Sequence, residues 1–379
     1  MGYTGLGLPD YGYINGFAPA TWARLNRARL EASLLYEGFQ SSDGIRSRFL
    51  SRADFNGALL AIPISQPNGI VMVAGILPFS TVNYDAYTRG EYLSTTDTMN
   101  YSIHHTGTGG ITRGILGLTY APSERLALGF STDVLFGSTD RTTLQVPVES
   151  SHLGGAVTDR VTTNGVAFSL GALYTGLGDL APMLRPFSLG FTITSRATLS
   201  ARNQATYRFT TDETTSTTER DTTEEVARQS TVPLAFGIGL GYQAGERLLL
   251  AADYYRQLWS GATINDLPAS STLRDSYRIG IGVERLPSRE LTASFTQLLA
   301  LRAGLYYHAT YYQPNGNPVN EWGATLGLGL PFSGESRLNI ALEYSSREAS
   351  GTGMIKDSIL RLSASVNISA LWFIQYPED

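Results

Sequence analysis

Two adjacent histidines, His104 and His105, are the first residues in this chain whose type could do chemistry, because imidazoles bind transition metals. The chain has four histidines in all, and no carboxylate stands at ligand spacing from this pair. They read as loop or loop-base residues, and no metal site is expected. The glycines that follow, in "HTGTGGITRG", have the look of a phosphate cradle. They lack its lysine and its following helix. His308 alternates with Arg302, Tyr306, Thr310 and Tyr312, so all five share one face of an extended segment. Acyl-transfer chemistry would need a serine and an orienting group converging on that histidine. The simpler expectation is a hydrogen-bond network, with no catalytic residue, no enzyme activity and no cofactor. Cysteine is absent, which removes disulfides, thiolate metal sites and a thiol nucleophile. Positive charge is carried almost wholly by arginine, with Lys356 the single lysine. Arginine's planar fork suits either wall salt bridges or a carboxylate held in two places.

The elements that must position these residues are strands. Apolar residues recur at every second position from end to end, and helical periodicity is hard to find. Fourteen segments carry this pattern: 27–39, 52–64, 69–87, 111–122, 125–137, 164–176, 187–199, 232–243, 247–259, 275–286, 300–312, 321–332, 337–348 and 358–373. Short turns such as "SQPNG", "PSE" and "SGES" alternate with long polar connections at 138–163, 200–231, 260–274 and 349–357. This predicts an all-β fold, a 14-stranded antiparallel transmembrane β-barrel, with short turns at one end and loops at the other. Mean hydropathy is -0.07, and no stretch of about 18 apolar residues could cross a bilayer as a helix. A barrel needs only one apolar face per strand, so near-neutral hydropathy suits it. The net charge of -5 is mild and there is no basic run, which argues against nucleic acid.

The second face of each segment decides which side is inside. It carries glycines (237, 239, 241, 280, 282, 323, 327, 329) and charges, among them Arg29, Glu31, Arg113, Asp133, Asp253, Arg278, Glu284, Arg302, Glu343 and Arg361. The first face is Leu, Ile, Val, Phe, Ala and Tyr. A continuous apolar face set against small and charged residues predicts lipid outside and a polar lumen within. In the last segment, "SILRLSASVNISALWF", Leu360 to Trp372 should face lipid and Arg361 and Asn367 the lumen. That segment should pair with residues near Arg29 to Leu35, because an open edge cannot be left in lipid. Tyr and Trp near segment ends (Tyr36, Tyr120, Tyr242, Tyr254, Trp259, Trp322, Tyr344, Trp372) are expected as headgroup-level girdles. Residues 1–26 precede the first strand. They have no basic start and no apolar core, so the numbering is read as beginning after a processed segment. The division expected is 1–26, a hatch-like segment; 27–373, the barrel; and 374–379, a tail.

Pro78 stands inside the third segment, "GIVMVAGILPFSTVNYD". Proline has no ladder donor and is confined to edges, strand ends and bulges. Either the strand ends near Leu77, or Gly75, Leu77, Pro78 and Phe79 form a kink or bulge that opens the wall.

On these residues the chain resembles the FadL family of outer-membrane transporters for long-chain fatty acids and other hydrophobic compounds. "MGYTGLGLPDYGYINGFAPATW" is similar to that family's Gly-rich hatch and its Asn-Pro-Ala motif, which here reads Ala18, Pro19, Ala20. "LLAIPISQPNGIVMVAGILPFSTVNYD" is similar to its second and third strands, and "NISALWFIQYPED" to the ending of Bacteroidota-type members. The resemblance implies a plugged fourteen-strand barrel in the outer membrane of a Gram-negative bacterium. It implies a passive channel for a hydrophobic small-molecule ligand, with outer-membrane lipid outside and a lateral exit at the kink. Lumen pocket candidates are Leu35, Arg302, Tyr306, His308, Tyr312 and Arg361. Two alternatives stand beside this reading. One is a docking barrel of a secretion or surface complex, with a protein partner on the loops at 200–231. The other is a diffusion porin.

Overall fold

The structure is a computed structural model. It describes the chain apart from residues 10–11, 45–46, 94–97, 149–153, 211–215, 221–225, 265–270, 289, 291, 350–355 and 372–379. The described strands are β1 (Ala28–Ser42), β2 (Ser47–Ser65), β3 (Ile70–Leu93), β4 (Thr98–Ser123), β5 (Leu126–Pro147), β6 (Gly154–Tyr174), β7 (Phe187–Thr194), β8 (Ala197–Thr210), β9 (Ser216–Arg220) and β10 (Val226–Val232). They continue with β11 (Ala235–Ala244), β12 (Leu248–Gln257), β13 (Ser271–Leu273), β14 (Ser276–Arg285), β15 (Ala300–Ala309), β16 (Tyr312–Pro314), β17 (Val319–Ser333), β18 (Ser336–Ala349) and β19 (Lys356–Ala370).

The strands close into one antiparallel barrel of fourteen staves. β7 and β8 are two parts of one stave, interrupted at Ser195 and Arg196. β10 and β11 are two parts of the next, interrupted at Pro233 and Leu234, where a proline at an interruption needs no ladder donor. β9 is a short hairpin partner of β8, and β13 pairs only with β16, outside the wall. The seam is β1 on β19, with Arg29 opposite Ser369 and Leu35 opposite Ser363. Closure leaves no free edge there, which is the condition for a sheet in lipid.

The faces fall as the alternation requires. Leu360, Leu362, Val366 and Ile368 point out, while Asn367 is buried inside. The same outward row runs through Leu30 and Leu34, Phe130 and Val134, Phe168 and Leu170, Ile279 and Ile281, and Ile340 and Leu342. An aromatic band crosses the outer end of this apolar belt. Ring centroids step from Phe236 to Tyr254 (6.5 Å), Tyr277 (6.3 Å) and Tyr307 (6.1 Å) across four adjacent strands, and Trp322 meets Tyr344 at 6.1 Å on the next two. Rings with an apolar body and a polar tip settle at headgroup depth. Trp259 is not among them. It is buried and stacks on Tyr311 at 4.3 Å, in the cap above the wall.

Three expectations are corrected. The connection 138–163 and much of 200–231 are not irregular loops: β5 runs on to Pro147, β6 begins at Gly154, and β8, β9 and β10 occupy much of the rest. Crossing a bilayer takes about 9–11 residues per strand, whereas β3 to β6 have 24, 26, 22 and 21. Their surplus stands above the belt as a sheet wetted on both faces. Such a sheet has no apolar alternation to read, although its threonines favour strand. Its stays are polar: Thr142 meets Thr158 at 3.0 Å, and Arg160 grips Asp140 with two bonds of 2.7 and 2.9 Å. Those bonds hold the Asp140 carboxyl below the usual range. Second, of the two readings of Pro78 the one that ends the strand near Leu77 fails, since β3 runs on to Leu93. Third, the segment 300–312 is too long: β15 ends at Ala309, and Tyr312 lies in the small β13–β16 sheet, bonded to Ser271 at 3.0 Å. Trp372, Phe373 and the tail 374–379 lie outside the described residues, as do parts of 200–231.

Candidate functional site

The lumen is filled by the first residues of the chain, and many of the wall glycines admit them, whereas Gly323 and Gly327 make room for the wall side chains of Tyr306 and Arg302. Gly190 faces Gly239, Gly129 faces Gly171 and Gly282 faces Gly304 across adjacent strands. Each pair paves a spot where hatch backbone lies against wall backbone. A Cβ on Gly239 would stand 2.5 Å from the nitrogen of Gly7, one on Gly129 2.5 Å from the nitrogen of Ala20, and one on Gly282 2.6 Å from the carbonyl of Met1. No side chain fits at such distances, so glycine is required by close approach. Wall side chains then bond the hatch backbone. Asp253 accepts from the N–H groups of Gly5 (2.7 Å) and Leu6 (2.9 Å), Ser188 donates to the carbonyl of Gly7 (2.6 Å), and Arg113 donates to that of Gly16 (2.7 Å). Ala18 and Ala20 are buried on either side of Pro19, which opens a 3₁₀ turn, Pro19–Arg24, that packs on Gly129 and Gly171. Gly129→Val should therefore dislodge the hatch, and ion conductance of the reconstituted barrel should rise well above wild type. Gly114→Ala, whose Cβ meets nothing nearer than 3.6 Å, should leave conductance unchanged.

Among the described residues the ladder is interrupted briefly between β6 and the β7–β8 stave, from Ser169 opposite Thr194 to Asn164 opposite Ser200, and ends without rejoining only between β2 and β3. β2 and β3 pair from Ser65 and Ile70 only as far as Ala58 opposite Ile76. Both strands continue, but away from each other. β2 stays on β1 to Ser47, and β3 stays on β4 to Leu93. Residues 47–57 and 77–93 thus flank a slot with no ladder across it. Two bulges turn the strands apart. In β2, Asn56 has no partner on β1 and Gly57 has φ +115°, a conformation that L side chains rarely adopt. In β3, Phe79 is passed over in the pairing with β4, between Pro78 opposite Thr112 and Ser80 opposite Ile111. Pro78 sits where β3 has lost one of its two neighbours, which is why a proline is accommodated in mid-strand. In register, Thr112 lies opposite Phe136, at the outer end of the lipid-facing row of β5. The slot therefore begins within the apolar belt. Its inner end is closed by Gly75 and Gly57, whose missing side chains let β2 and β3 touch backbone to backbone.

The lumen beside the slot is apolar. Ile14, Trp22 and Leu25 of the hatch pack with Leu59, Ala61, Val71, Val73 and Ile115 of the wall, and Leu77 packs against this cluster. Farther round, a cavity of about 370 Å³ lies between hatch and wall, lined among others by Tyr3, Tyr13, Phe17, Tyr255, Arg278 and Arg302.

Most polar candidates are committed to one another. Arg361 meets Glu37 at 2.7 Å, Glu343 at 2.5 Å and Glu321 at 3.4 Å. Glu37 is also held by Arg52 at 2.6 Å, and Glu321 by Arg347 at 2.7 Å. Tyr306 donates toward Glu321 (2.7 Å) and Glu343 (2.8 Å), and Tyr3 of the hatch meets its ring edge-on at 4.8 Å. Arg302 pairs with Glu284 at 2.9 Å and covers the ring of Tyr13 at 4.4 Å. His308 faces inward between Arg278 and Glu321 in register, and Leu35 faces inward opposite Asp54. These residues share the lumen but not one pocket: Leu35 and Arg361 stand near the seam, and Tyr312 is outside the wall.

Sequence reasoning set Asp253 on the lumen face but gave it no part in holding the hatch, of which it is the main anchor, and passed over Gly57, the bulge of β2. It placed His104 in a loop or at a loop base, whereas His104 lies in β4 beside the slot and meets Asp85 at 2.9 Å. Among the described residues no cluster could hold a metal ion.

The family model described as BamG matches residues 1–377. No curated protein matches the chain. Among solved structures, the Pseudomonas putida toluene transporter TodX is 17% identical, with 97% of this chain and 96% of that chain covered at a TM-score of 0.60. The Ralstonia pickettii toluene transporter TbuX is 14% identical, with 93% and 92% covered at a TM-score of 0.57. A Pseudomonas aeruginosa FadL homologue is 13% identical, with 92% of each chain covered at a TM-score of 0.56. At such identities the likeness is one of fold: the plugged fourteen-strand barrel is the architecture that the FadL resemblance implies.

Proposed function

The chain belongs to the BamG family, and from that premise we propose that this outer-membrane barrel is a passive channel for small hydrophobic molecules, which leave the lumen sideways between β2 and β3. The observation that carries the reading is the end of the β2–β3 ladder at Ala58 and Ile76, while both strands run on. A molecule that prefers lipid to water gains free energy, about 25 cal/mol per Å² of apolar surface, when it passes into the bilayer rather than through an aqueous mouth. The apolar cluster behind Leu77 offers it a dry approach to the slot. The hatch makes a straight aqueous pore a poorer description, since hatch backbone lies against the wall at several heights. Toluene transport by the similarly folded TodX and TbuX supports an apolar cargo; a fatty acid is a second cargo of the same class.

The test is to straighten β3. Pro78→Ala restores a ladder donor. Deleting Phe79 removes the bulge and leaves Ser80 onward in its present register with β4. In the double change β3 should zip onto β2 beyond Ile76, and uptake of radiolabelled toluene by proteoliposomes should fall toward that of empty vesicles. Undiminished uptake in a variant whose β3 has been shown to be straight would sink the lateral route.

A further inference from the structure

The slot is not open along its whole length. From the end of the ladder at Ala58 and Ile76, the register continued outward would set Arg48 opposite Ala86. At that level the two strands are joined by side chains. Arg48 of β2 reaches across to Asp85 of β3, with nitrogen and oxygen 3.1 Å apart, and its guanidinium lies 5.3 Å from the centre of the Tyr87 ring. The receiving side is already assembled. His104 of β4 holds the same Asp85 oxygen at 2.9 Å and stacks on Tyr87 at 4.0 Å, the planes 10° apart. Asp85, Tyr87 and His104 therefore form a socket braced by two strands, and Arg48 is the group that crosses to it.

We propose that Arg48, seated in this socket of Asp85, Tyr87 and His104, is a clasp that bounds the slot at its outer end and so limits the size of the molecule the slot passes. The inference rests on the reading of the slot as the exit. It turns an open-ended slit into a window, with the backbone contact at Gly57 and Gly75 as sill and the clasp as lintel. The chemistry suits a closure that must yield. The pair is partly exposed, with side chains 44% and 37% accessible, and exposed ion pairs are weak and screened by salt. A ladder of backbone bonds in the same place would be permanent. The arginine also lies over a flat ring, a contact that lysine's compact ammonium matches less well.

The chain has no cysteine, so Ser51→Cys and Asn83→Cys, one on each side of the slot, give a unique pair of spin-label sites. In that background Arg48→Ala should broaden and lengthen the distance between labels. Arg48→Asp combined with Asp85→Arg should bring it back toward wild type, because the pair is re-formed with its charges exchanged. In unlabelled protein Arg48→Ala should admit a tracer of three or four fused rings that wild type excludes, with toluene uptake little changed. A distance distribution indifferent to Arg48→Ala overturns the clasp. A widened slot with an unchanged size cut-off overturns its role as a limit. If toluene enters through neither wild type nor variant while the distances respond as described, the clasp's geometry stands and the channel reading above is what fails.

Discussion

Joining Ser51→Cys to Asn83→Cys with a short cleavable bis-maleimide should reduce toluene uptake to that of membranes without the protein, and cleavage should restore it. The two positions lie on β2 and β3 beyond the last ladder pair, so the bridge spans the slot without touching the hatch or the closed seam. The expected effect is near-complete because the alternatives are poor. A path through the lumen would have to displace hatch backbone that is bonded to Asp253, Ser188 and Arg113. A path elsewhere in the wall would have to break a ladder in lipid, where each unsatisfied backbone group costs several kcal/mol, or force the short interruption between β6 and the β7–β8 stave, whose strands rejoin at Asn164 opposite Ser200. The control is a bridge across a closed ladder. Ser33→Cys with Ser365→Cys joins Cα partners that already face each other at the seam, and it should leave uptake unchanged. Loss of uptake from both bridges would point to a general rigidity effect rather than a blocked exit.

Arg361→Met should destabilise the barrel by about 3–5 kcal/mol, the usual cost of leaving buried charges without their partner. Arg361 sits on the closing strand and is only 15% exposed. It binds Glu37 of β1 across the seam and Glu343 of β18 on its other side, with Glu321 of β17 beyond. With Arg52 and Arg347, three guanidinium groups balance three carboxylates. Removing Arg361 leaves the carboxylates in excess in a site that water reaches poorly. The loss should appear as a lowered denaturant midpoint in detergent micelles. Adding Glu343→Gln should recover part of it, since the excess charge is then gone. Arg361→Lys should fall between, because an ammonium cannot spread its donors over a fork's geometry.

The barrel itself was legible because its driving force is local and repeated. Each stave needs a residue pair that differs, lipid side against lumen side, and a period of two survives any uncertainty about ends. Leu360 to Ile368 and their partner Leu30 to Leu34 show it directly. Pro78 was legible as a conflict, because a proline in a two-sided ladder is a contradiction that some structure must resolve. The loss of one neighbour at that point resolves it. The polar extensions of β5, β6 and β8 were not legible, since strands wet on both faces leave no periodic mark. The clasp was not legible either. Arg48, Asp85 and His104 come from three strands, and only the divergence of β2 from β3 makes their meeting consequential. The lumen glycines were visible as a face, yet their purpose depends on where the first residues of the chain lie.

That arrangement constrains the order in which the molecule can be made. The hatch precedes the wall in sequence, and its anchors run from Arg113, Ser188 and Asp253 on to nearly the last strands: Gly2 bonds to Thr325, and Tyr3 reaches Glu343, more than three hundred residues away. Until β17 and β18 exist, the hatch has no complete bed. Once β19 has zipped onto β1, the bed is walled on every side. Packing of the interior and closing of the cylinder must therefore be a joint event late in assembly, and the loop-closure entropy of so distant a contact falls on that step. A glycine lost from the paving would be felt there first, as a cylinder that cannot shut over its own beginning.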